Sequence, residues 1–331
     1  MTMFFKNFAK GLVTNMPPKN IDGYESGSGS VAGSGSGSKS RPQHIDVVLD
    51  GGAFNGSYLV GAMYFLKELE RQRVVKIDRV SGCSVGAVVA LLYLIDRLDF
   101  FDNLYELMRD IFTKTHTLDI VRTFPDIIRP IIPKNCDVVL HKKLYISYHN
   151  VKKNKKVVKN TYSSPNVLIE TLIKTGFIPT MSHSGEILYK AKYMDGILPH
   201  IFKSKSSRDP LKKILYLDLF GYDKVAKFMD IRNEITNCSR VVVGMLDIHT
   251  FFIKNSPTSI CSYIDDWSII HSCRNRLKHI IERILVIVVQ LMVAILYRMP
   301  DMKWINKFVV CKIFKKWMTD VYVIALTEYC L

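Results

Sequence analysis

The segment RVSGCSVGAVVALLYL, residues 79–94, joins a short apolar run to a long one through a turn of small residues. The run KIDRVSG (76–82) predicts a strand, and VGAVVALLYLIDRL (85–98) predicts a helix that is apolar on almost every side and therefore buried. Ser84 lies at the junction. Because a serine hydroxyl is a weak nucleophile, it must be exposed, held rigidly and placed beside a base. A sharp turn from strand to helix provides the exposure.

Two glycines flank this serine. Gly82 and Gly86 stand two residues before and two residues after Ser84, where a side chain would collide in a tight turn. The start of the following helix also favours the negative charge that develops during attack. A turn that merely lets two elements pack has the same composition, so this motif alone leaves both interpretations open. Cys83 is predicted to face away from the reaction centre as a small buried thiol.

The preceding sequence has the same order of elements. HIDVVLDGG (44–52) predicts a buried strand that ends in glycines, and GSYLVGAMYFLKELERQ (56–72) predicts an amphipathic helix. Strand, helix, strand and helix at this spacing predict an α/β fold with a parallel sheet and right-handed crossovers. ILYKAKYMDG (187–196) and KILYLDLFG (213–221) are further candidate strands.

Two further motifs could complete a catalytic site. In DGGAFNG (50–56), consecutive glycines leave backbone N–H groups exposed, which suits an oxyanion hole or a phosphate. Ala53 breaks the dinucleotide fingerprint, and the GK[ST] of a Walker loop is absent. In YMDG (193–196), Asp195 and Gly196 end a candidate strand. Each motif alone could be a simple turn, but an aspartate opposite a serine could act as its base.

Together, in this order, the three motifs resemble those of the patatin-like phospholipases. The similarity extends to NGSYLVGAMYFLKELE (55–70) and to LIKTGFIPTMSHSGEILYKAKYMDG (172–196), and it covers about residues 44 to 200. The resemblance implies a three-layer α/β/α domain with a mainly parallel central sheet. We expect a largely helical C-terminal region to follow this domain. It also implies a phospholipase A-type enzyme that cleaves acyl esters of membrane phospholipids without a metal or other cofactor.

The resemblance also implies the role of each site residue. Ser84 attacks the acyl carbonyl, and Asp195 takes its proton directly as the second member of a dyad. Backbone N–H groups of Gly51, Gly52 and Ala53 hold the oxyanion. An acyl-enzyme forms, and water then releases the fatty acid.

The chain departs from the family pattern at several positions. The family loop usually has the pattern GGGx[KR]G, whereas this chain has Ala53 in place of the third glycine and Asn55 in place of the basic residue. We expect the Ala53 methyl to be tolerated only if φ is negative, and we expect the missing cation to weaken contacts with an oxyanion or phosphate. The family often has Asn and Pro after Asp-Gly-[Ala/Gly], where this chain has DGILPH (195–200).

These departures keep alternatives open. The first is a catalytically weakened scaffold that binds membranes or protein partners, and the second is an acyltransferase or neutral-lipid lipase on the same fold. A triad with a histidine base is a further alternative, for which His200, His249 and His271 are the candidates.

The composition limits the partners. With 46 basic and 30 acidic residues the formal charge is +16, which suits an anionic lipid surface or a nucleic acid. The charge alone does not choose between these two partners, although no nucleic-acid module is found and no nucleic-acid partner is expected. The resemblance implies an acyl-lipid substrate, and the basic, aromatic C-terminal region is expected to contact a membrane surface. The oligomeric state stays open. Seven irregularly spaced cysteines favour reduced thiols and an intracellular protein. We expect it at the cytosolic face of a membrane.

Three regions are predicted along the chain. A leader and a Gly/Ser linker form residues 1–40, the catalytic domain forms 41–225, and a largely helical extension forms 226–331. The N-terminus lacks the apolar run of a signal peptide, and a frayed tail is favoured there over a short surface-binding helix.

The C-terminal extension contains the candidate membrane contacts. Residues 274–298 include an apolar stretch at 284–297, which a core helix explains best, with an interfacial and a spanning helix as alternatives. The stretch 303–318 mixes lysines with aromatic residues, which fits a membrane interface or a helix packed on the domain.

Overall fold

The computed structural model describes residues 2–17, 42–179, 181–182, 186–203, 212–221, 231, 234 and 236–298, with the side chains of 295–298 excepted. The predicted Gly/Ser linker and the lysine-rich aromatic stretch 303–318 lie outside the described residues. The domain boundaries at 40 and 225 stay predictions.

The described part of the chain contains a seven-stranded sheet. Its strands are β1 Gln43–Leu49, β2 Val75–Gly82, β3 Leu144–Asn150, β4 Lys155–Lys159, β5 Tyr193–Met194, β6 Lys213–Leu217 and β7 Cys261–Tyr263. The order is β4-β3-β2-β1-β6-β7, with β5 paired to β3. The four central strands β3, β2, β1 and β6 are parallel, and the outer strands β4, β5 and β7 pair antiparallel to them. The prediction of a mainly parallel sheet is confirmed.

Helices lie on both sides of this sheet. In the described residues they are α1 Thr2–Thr14, α2 Gly56–Arg71, α3 Val85–Leu94, α4 Phe100–Thr115, α5 Ile120–Ile128, α6 Cys136–Val139, α7 Pro165–Gly176, α8 Cys238–Lys254 and α9 Ile269–Arg298. Along β1, Val47 and Leu49 join the large core beneath α2 and α3, while Val48 joins a smaller core that includes Phe202 and Tyr216. This alternation is what two covered faces require, and it confirms the α/β/α layering.

The candidate strand 187–196 is mostly not a strand. Only Tyr193 and Met194 pair with β3, and the preceding residues turn back on themselves through a Tyr189–Tyr193 bridge. The short strand nevertheless delivers Asp195 to the carboxyl end of the sheet.

The N-terminus corrects our expectation of a frayed tail. Residues Thr2–Thr14 form helix α1, and Phe5, Ala9 and Val13 are buried in the main core. A spacing of four residues places these three side chains on one helical face. The segment is therefore part of the folded body.

Helix α9 corrects the expectation of a core helix near residue 284. Only Lys278, Glu282, Val286 and Val289 are buried among residues 271–294, so the helix lies on the surface along one narrow stripe. In the part of the chain that the structure describes, no helix is long and apolar enough to cross a membrane.

Helices α2 and α8 pack backbone against backbone. A Cβ added at Gly61 would lie 1.9 Å from the carbonyl oxygen of Val241, and one added at Gly244 would lie 2.0 Å from that of Tyr58. Both distances are far inside van der Waals contact, so only glycine allows this crossing. The contact anchors α8 beside the helix that follows the candidate oxyanion loop.

We therefore expect Gly61→Ala to lower the free energy of unfolding by about 1–3 kcal/mol, because the added methyl overpacks the crossing. Urea denaturation followed by circular dichroism measures this. Gly11→Ala is the matched control, since nothing lies within 4 Å of its added Cβ, and alanine in an exposed helix should stabilise by roughly 0.5–1 kcal/mol. A Gly61→Ala variant as stable as the wild type would contradict the packing described.

Candidate active site

Ser84 occupies a strained turn between β2 and α3. Its φ of 50° and ψ of −132° are outside the regions that non-glycine residues ordinarily adopt. Its backbone N–H donates to Thr175 Oγ1 at 2.9 Å, and the Thr175 hydroxyl donates to the carbonyl of Ser147 at 2.6 Å. These contacts fix the turn from α7 and β3, so the backbone of the serine is rigidly held.

Gly82 and Gly86 are both required because neither position has room for a side chain. A Cβ at Gly82 would lie 2.5 Å from the carbonyl oxygen of Gly86, and a Cβ at Gly86 would lie 2.4 Å from that of Asp50. The first contact closes the turn on itself. The second presses the start of α3 against the end of β1, where the glycine-rich loop begins.

That loop lies directly against the serine. A Cβ at Gly51 would lie 3.1 Å from Ser84 Cβ. Gly52 adopts φ 153° and ψ 36°, a conformation reserved for glycine, and its carbonyl accepts the N–H of Asn55 at 2.8 Å. The loop is thus a short closed turn whose first residues border the hydroxyl.

Ala53 differs from our expectation. We expected a negative φ, but its φ is 42°, in the left-handed region where a Cβ costs about 1–2 kcal/mol. Ile197, the second residue after Asp195, also has a positive φ, of 56°. The family pattern has a glycine at the first of these positions and a small residue at the second, so this chain places larger residues in the same strained turns.

Asp195 is held beside the elbow by short contacts. Its N–H donates to the carbonyl of Phe177 at 2.9 Å, and its Oδ1 accepts the N–H of Ile197 at 2.6 Å. A Cβ at Gly196 would lie 2.2 Å from the carbonyl oxygen of Ser147 and 2.9 Å from Cys83 Cβ. Gly196 therefore lets the aspartate turn approach the nucleophile turn.

The carboxylate is prepared to accept a proton. Burial raises the pKa of Asp195 to about 6, against the opposing effects of the Ser84 hydroxyl and the Ile197 N–H. Its Oδ2 is buried and has no hydrogen-bond partner among the described residues. The hydroxyl is thus close enough to influence the carboxylate without a well-aligned hydrogen bond, a common feature of resting active sites.

One cavity contains all the predicted site groups that react or bind. Ser84, Asp195 and the loop residues Gly51, Gly52 and Ala53 share its wall. Three turns that are far apart in the sequence therefore converge at one edge of the sheet.

The family model described as patatin-like phospholipase matches residues 47–258, well over half of the chain. The chain belongs to the patatin-like phospholipase family. Among solved structures, VipD from Legionella pneumophila is similar, with 12% sequence identity and a TM-score of 0.29. The match covers 52% of this chain and 49% of VipD, so it spans about half the length of each. No curated protein matches the chain.

A second cavity extends from Ser84 beneath helices α4 and α5. Its lining is almost entirely apolar and includes Phe54, Val88, Phe101, Leu118, Ile120 and Phe124. Ser84 and Ala53 border both cavities. Ser84 thus lies between an apolar chamber on one side and the Asp195 chamber on the other.

Helix α9 closes the Asp195 chamber. Leu285 and Val289 contribute to the wall that also contains Ser84. Val286 and Val289 pack with Met194, the residue before Asp195. The sequence motifs gave no sign that the C-terminal region reaches the site.

A buried ion cluster ties α9 to the loop. Lys278 Nζ lies 3.3 Å from Asp50 Oδ2 and 2.7 Å from Asp218 Oδ1, while Arg274 donates to Asp218 at 2.6 Å. Burial raises the pKa of Asp50, with Lys278 opposing it. Although burial of Asp218 acts in the opposite direction, Lys278 and Arg274 lower its pKa. The residue immediately before Gly51 is therefore fixed from the C-terminal helix.

A second cluster lies further along the same helix. Glu282 accepts hydrogen bonds from His149 and His279, each at 3.0 Å, and from Lys156 at 2.6 Å. Despite its burial, these partners lower the pKa of Glu282. His149 and Lys156 also oppose the rise that burial causes in the pKa of Asp195. The sequence motifs gave no sign that Lys156 contacts the C-terminal helix.

The alternative histidine bases do not join the site. His200 stacks on Tyr145, His249 contacts Phe65 edge-on, and His271 pairs with Ser268. Among the described residues, no histidine lines either cavity that contains Ser84. Cys83 is fully buried, as predicted, and its thiol donates to the carbonyl of Ile197 at 3.4 Å.

We expect Ala53→Gly to stabilise the protein by about 1 kcal/mol, because it removes a Cβ from a left-handed φ. Thermal unfolding measures the shift. Gly52→Ala provides the opposite control, since it adds a Cβ at φ 153° and should destabilise. If Ala53→Gly lowered the melting temperature, the strain described at this position would be refuted.

Proposed function

We propose that this protein is a phospholipase A-type lipid acyl hydrolase, with Ser84 as nucleophile and Asp195 as base. The observation that carries the proposal is the shared cavity, in which a rigid elbow serine, a buried aspartate and a glycine-rich loop meet. Members of the family are generally lipid acyl hydrolases. The alternative of a weakened scaffold is less well supported, because Ser84, Asp195 and the glycine-rich loop line one cavity.

The reaction follows from these groups. Asp195 accepts the hydroxyl proton while Ser84 Oγ bonds to the acyl carbon, and the carbonyl oxygen gains the negative charge. Backbone N–H groups of the loop at Gly51, Gly52 and Ala53 stabilise that charge. The ester C–O bond then breaks, and the proton passes from Asp195 to the departing alkoxide. Water attacks the acyl-enzyme by the same route, releasing the fatty acid and restoring Ser84.

The substrate class follows from the chambers. The apolar chamber beneath α4 and α5 has no charged lining residue, and burial of each CH₂ of an acyl chain there would contribute about 0.8 kcal/mol. An acyl chain would occupy this chamber while the rest of the lipid lies on the Asp195 side. This division places the ester carbonyl at Ser84.

We propose that α9 brings the site to an anionic membrane. Large aliphatic side chains are exposed along it, namely Leu277, Ile280, Ile281, Ile284, Leu285, Ile287, Val288, Leu291 and Met292. A patch of this kind on a soluble surface marks an interaction site. Arg276 and Arg283 are exposed on the same helix and suit anionic headgroups. Leu285 is both exposed and part of the cavity wall, so the patch continues into the site.

Fatty-acid release from phospholipid vesicles tests the dyad. We expect release by the wild type and a loss of about 10³-fold or more in both Ser84→Ala and Asp195→Asn, because each removes a step of the proton transfer.

The pH dependence of release tests the role of Asp195 as base. With the pKa of Asp195 at about 6, the carboxylate is protonated below that pH. The rate should therefore fall as the pH is lowered through about 6.

The outcomes of this assay distinguish the proposed enzyme from its alternatives. Release that survives in Asp195→Asn but not in Ser84→Ala would require another base. No release by folded wild type would favour the scaffold, provided that vesicle binding persists. Transfer of the acyl group to an added alcohol in preference to water would favour the acyltransferase.

Membrane docking is tested by Ile284→Glu combined with Ile287→Glu, since both side chains are about half exposed. We expect weaker sedimentation with anionic vesicles and unchanged hydrolysis of a water-soluble ester. Val138→Glu, at a still more exposed apolar position on the short helix α6, is the control and should bind normally. Unchanged vesicle binding, or a change only in self-association, would contradict the docking proposal.

A further inference from the structure

We propose that Arg240 is a positioning residue for the oxyanion loop, supplying from α8 the cation that the loop itself lacks. Its Nη1 donates to Asn55 Oδ1 at 2.7 Å. Asn55 occupies the position where the family loop usually has Lys or Arg. The positive charge that the loop sequence lacks is thus supplied next to the loop by the guanidinium of Arg240.

Asn55 is well placed to transmit this contact. It is fully buried, it precedes the first residue of α2, and its N–H closes the turn onto the carbonyl of Gly52 at 2.8 Å. Gly52 and Ala53 lie within that turn. Holding the Asn55 side chain therefore holds the orientation of the backbone N–H groups that face the oxyanion.

Arg240 is itself fixed on a second side. Its Nε donates to Glu234 Oε1 at 2.8 Å, and its side chain is almost fully buried. A guanidinium is planar, so its Nε and Nη1 can serve two partners at a defined angle, which a lysine ammonium cannot do rigidly. A buried charge is costly unless it is paired, and here Glu234 supplies the balancing carboxylate.

The same carboxylate reaches the acyl chamber. Glu234 Oε2 accepts the hydroxyl of Tyr105 at 2.8 Å. Tyr105 lines the apolar chamber and contacts Phe54 edge-on, with ring centroids 5.5 Å apart. One connected set of contacts therefore runs from the chamber wall through Glu234 and Arg240 to the loop turn.

This role rests on the proposed function, because an oxyanion loop matters only if an acyl transfer occurs. Arg240 lines neither cavity that contains Ser84. It acts through Asn55, so its loss should affect the transition state, where the oxyanion exists, more than binding of the ground state.

A double-mutant cycle tests the proposal, with a p-nitrophenyl alkanoate as substrate. We expect Arg240→Gln and Asn55→Ala each to lower kcat by about 10- to 100-fold with little change in KM, which is less than the loss on deleting an oxyanion donor. The kcat of the double variant should equal that of the less active single variant, because both substitutions remove the same interaction. Arg240→Lys should retain an intermediate kcat. The rate of Ser84 labelling by a fluorophosphonate should fall in parallel.

Arg79→Gln is the matched control. Arg79 also pairs with a buried carboxylate, that of Asp46, within the paired strands β2 and β1, and it lines neither cavity that contains Ser84. This variant should be less stable at unchanged kcat. If Arg240→Gln behaved in the same way, or if the two kcat losses simply multiplied, the positioning role would be overturned. A wild type that neither hydrolyses ester nor reacts with fluorophosphonate would instead remove the proposed function, and the role with it.

Discussion

The close approach of Gly86 to the end of β1 is the constraint on which the site depends. With only hydrogen at this position, α3 starts against the carbonyls of Leu49 and Asp50, and the nucleophile turn comes to lie against the glycine-rich loop. Gly196 makes the same kind of contact with Ser147 on the other side. The site is therefore assembled by backbone-to-backbone contacts, which leave little freedom for relative movement and favour a preorganised geometry.

Strain accompanies this assembly. Ala53, Ser84 and Ile197 all have positive φ values, one in each of the three converging turns. Such conformations cost about 1–3 kcal/mol each and persist only where the surroundings impose them. The buried, partly unpaired carboxylate of Asp195 adds a further cost. These features destabilise the folded state at the candidate site. The large core beneath α2 and α3 must therefore supply the compensating stability.

Much of the fold could be predicted from the sequence, because β1, α2, β2 and α3 follow simple periodicity. The convergence of Ser84, Asp195 and the glycine-rich loop could also be predicted, since all three belong to short patterns at strand ends. Contacts that depend on distant partners could not. Arg240 contacts a residue 185 positions away, and its only signal was a charge within an apolar helical run. Lys278 gave no sign of facing Asp50. Helix α9 looked like a core helix because apolar composition does not show whether the surrounding medium is protein or solvent.

Helix α9 has two faces that serve different surroundings. Its inner stripe is fixed to the domain through Lys278 and Glu282, while Leu285 belongs both to the outer surface and to the cavity wall. Selection acting on what the cavity accepts therefore also acts on what the exterior contacts. A substitution at Leu285 changes the cavity lining and the outer surface together, so these two properties cannot evolve independently at that position.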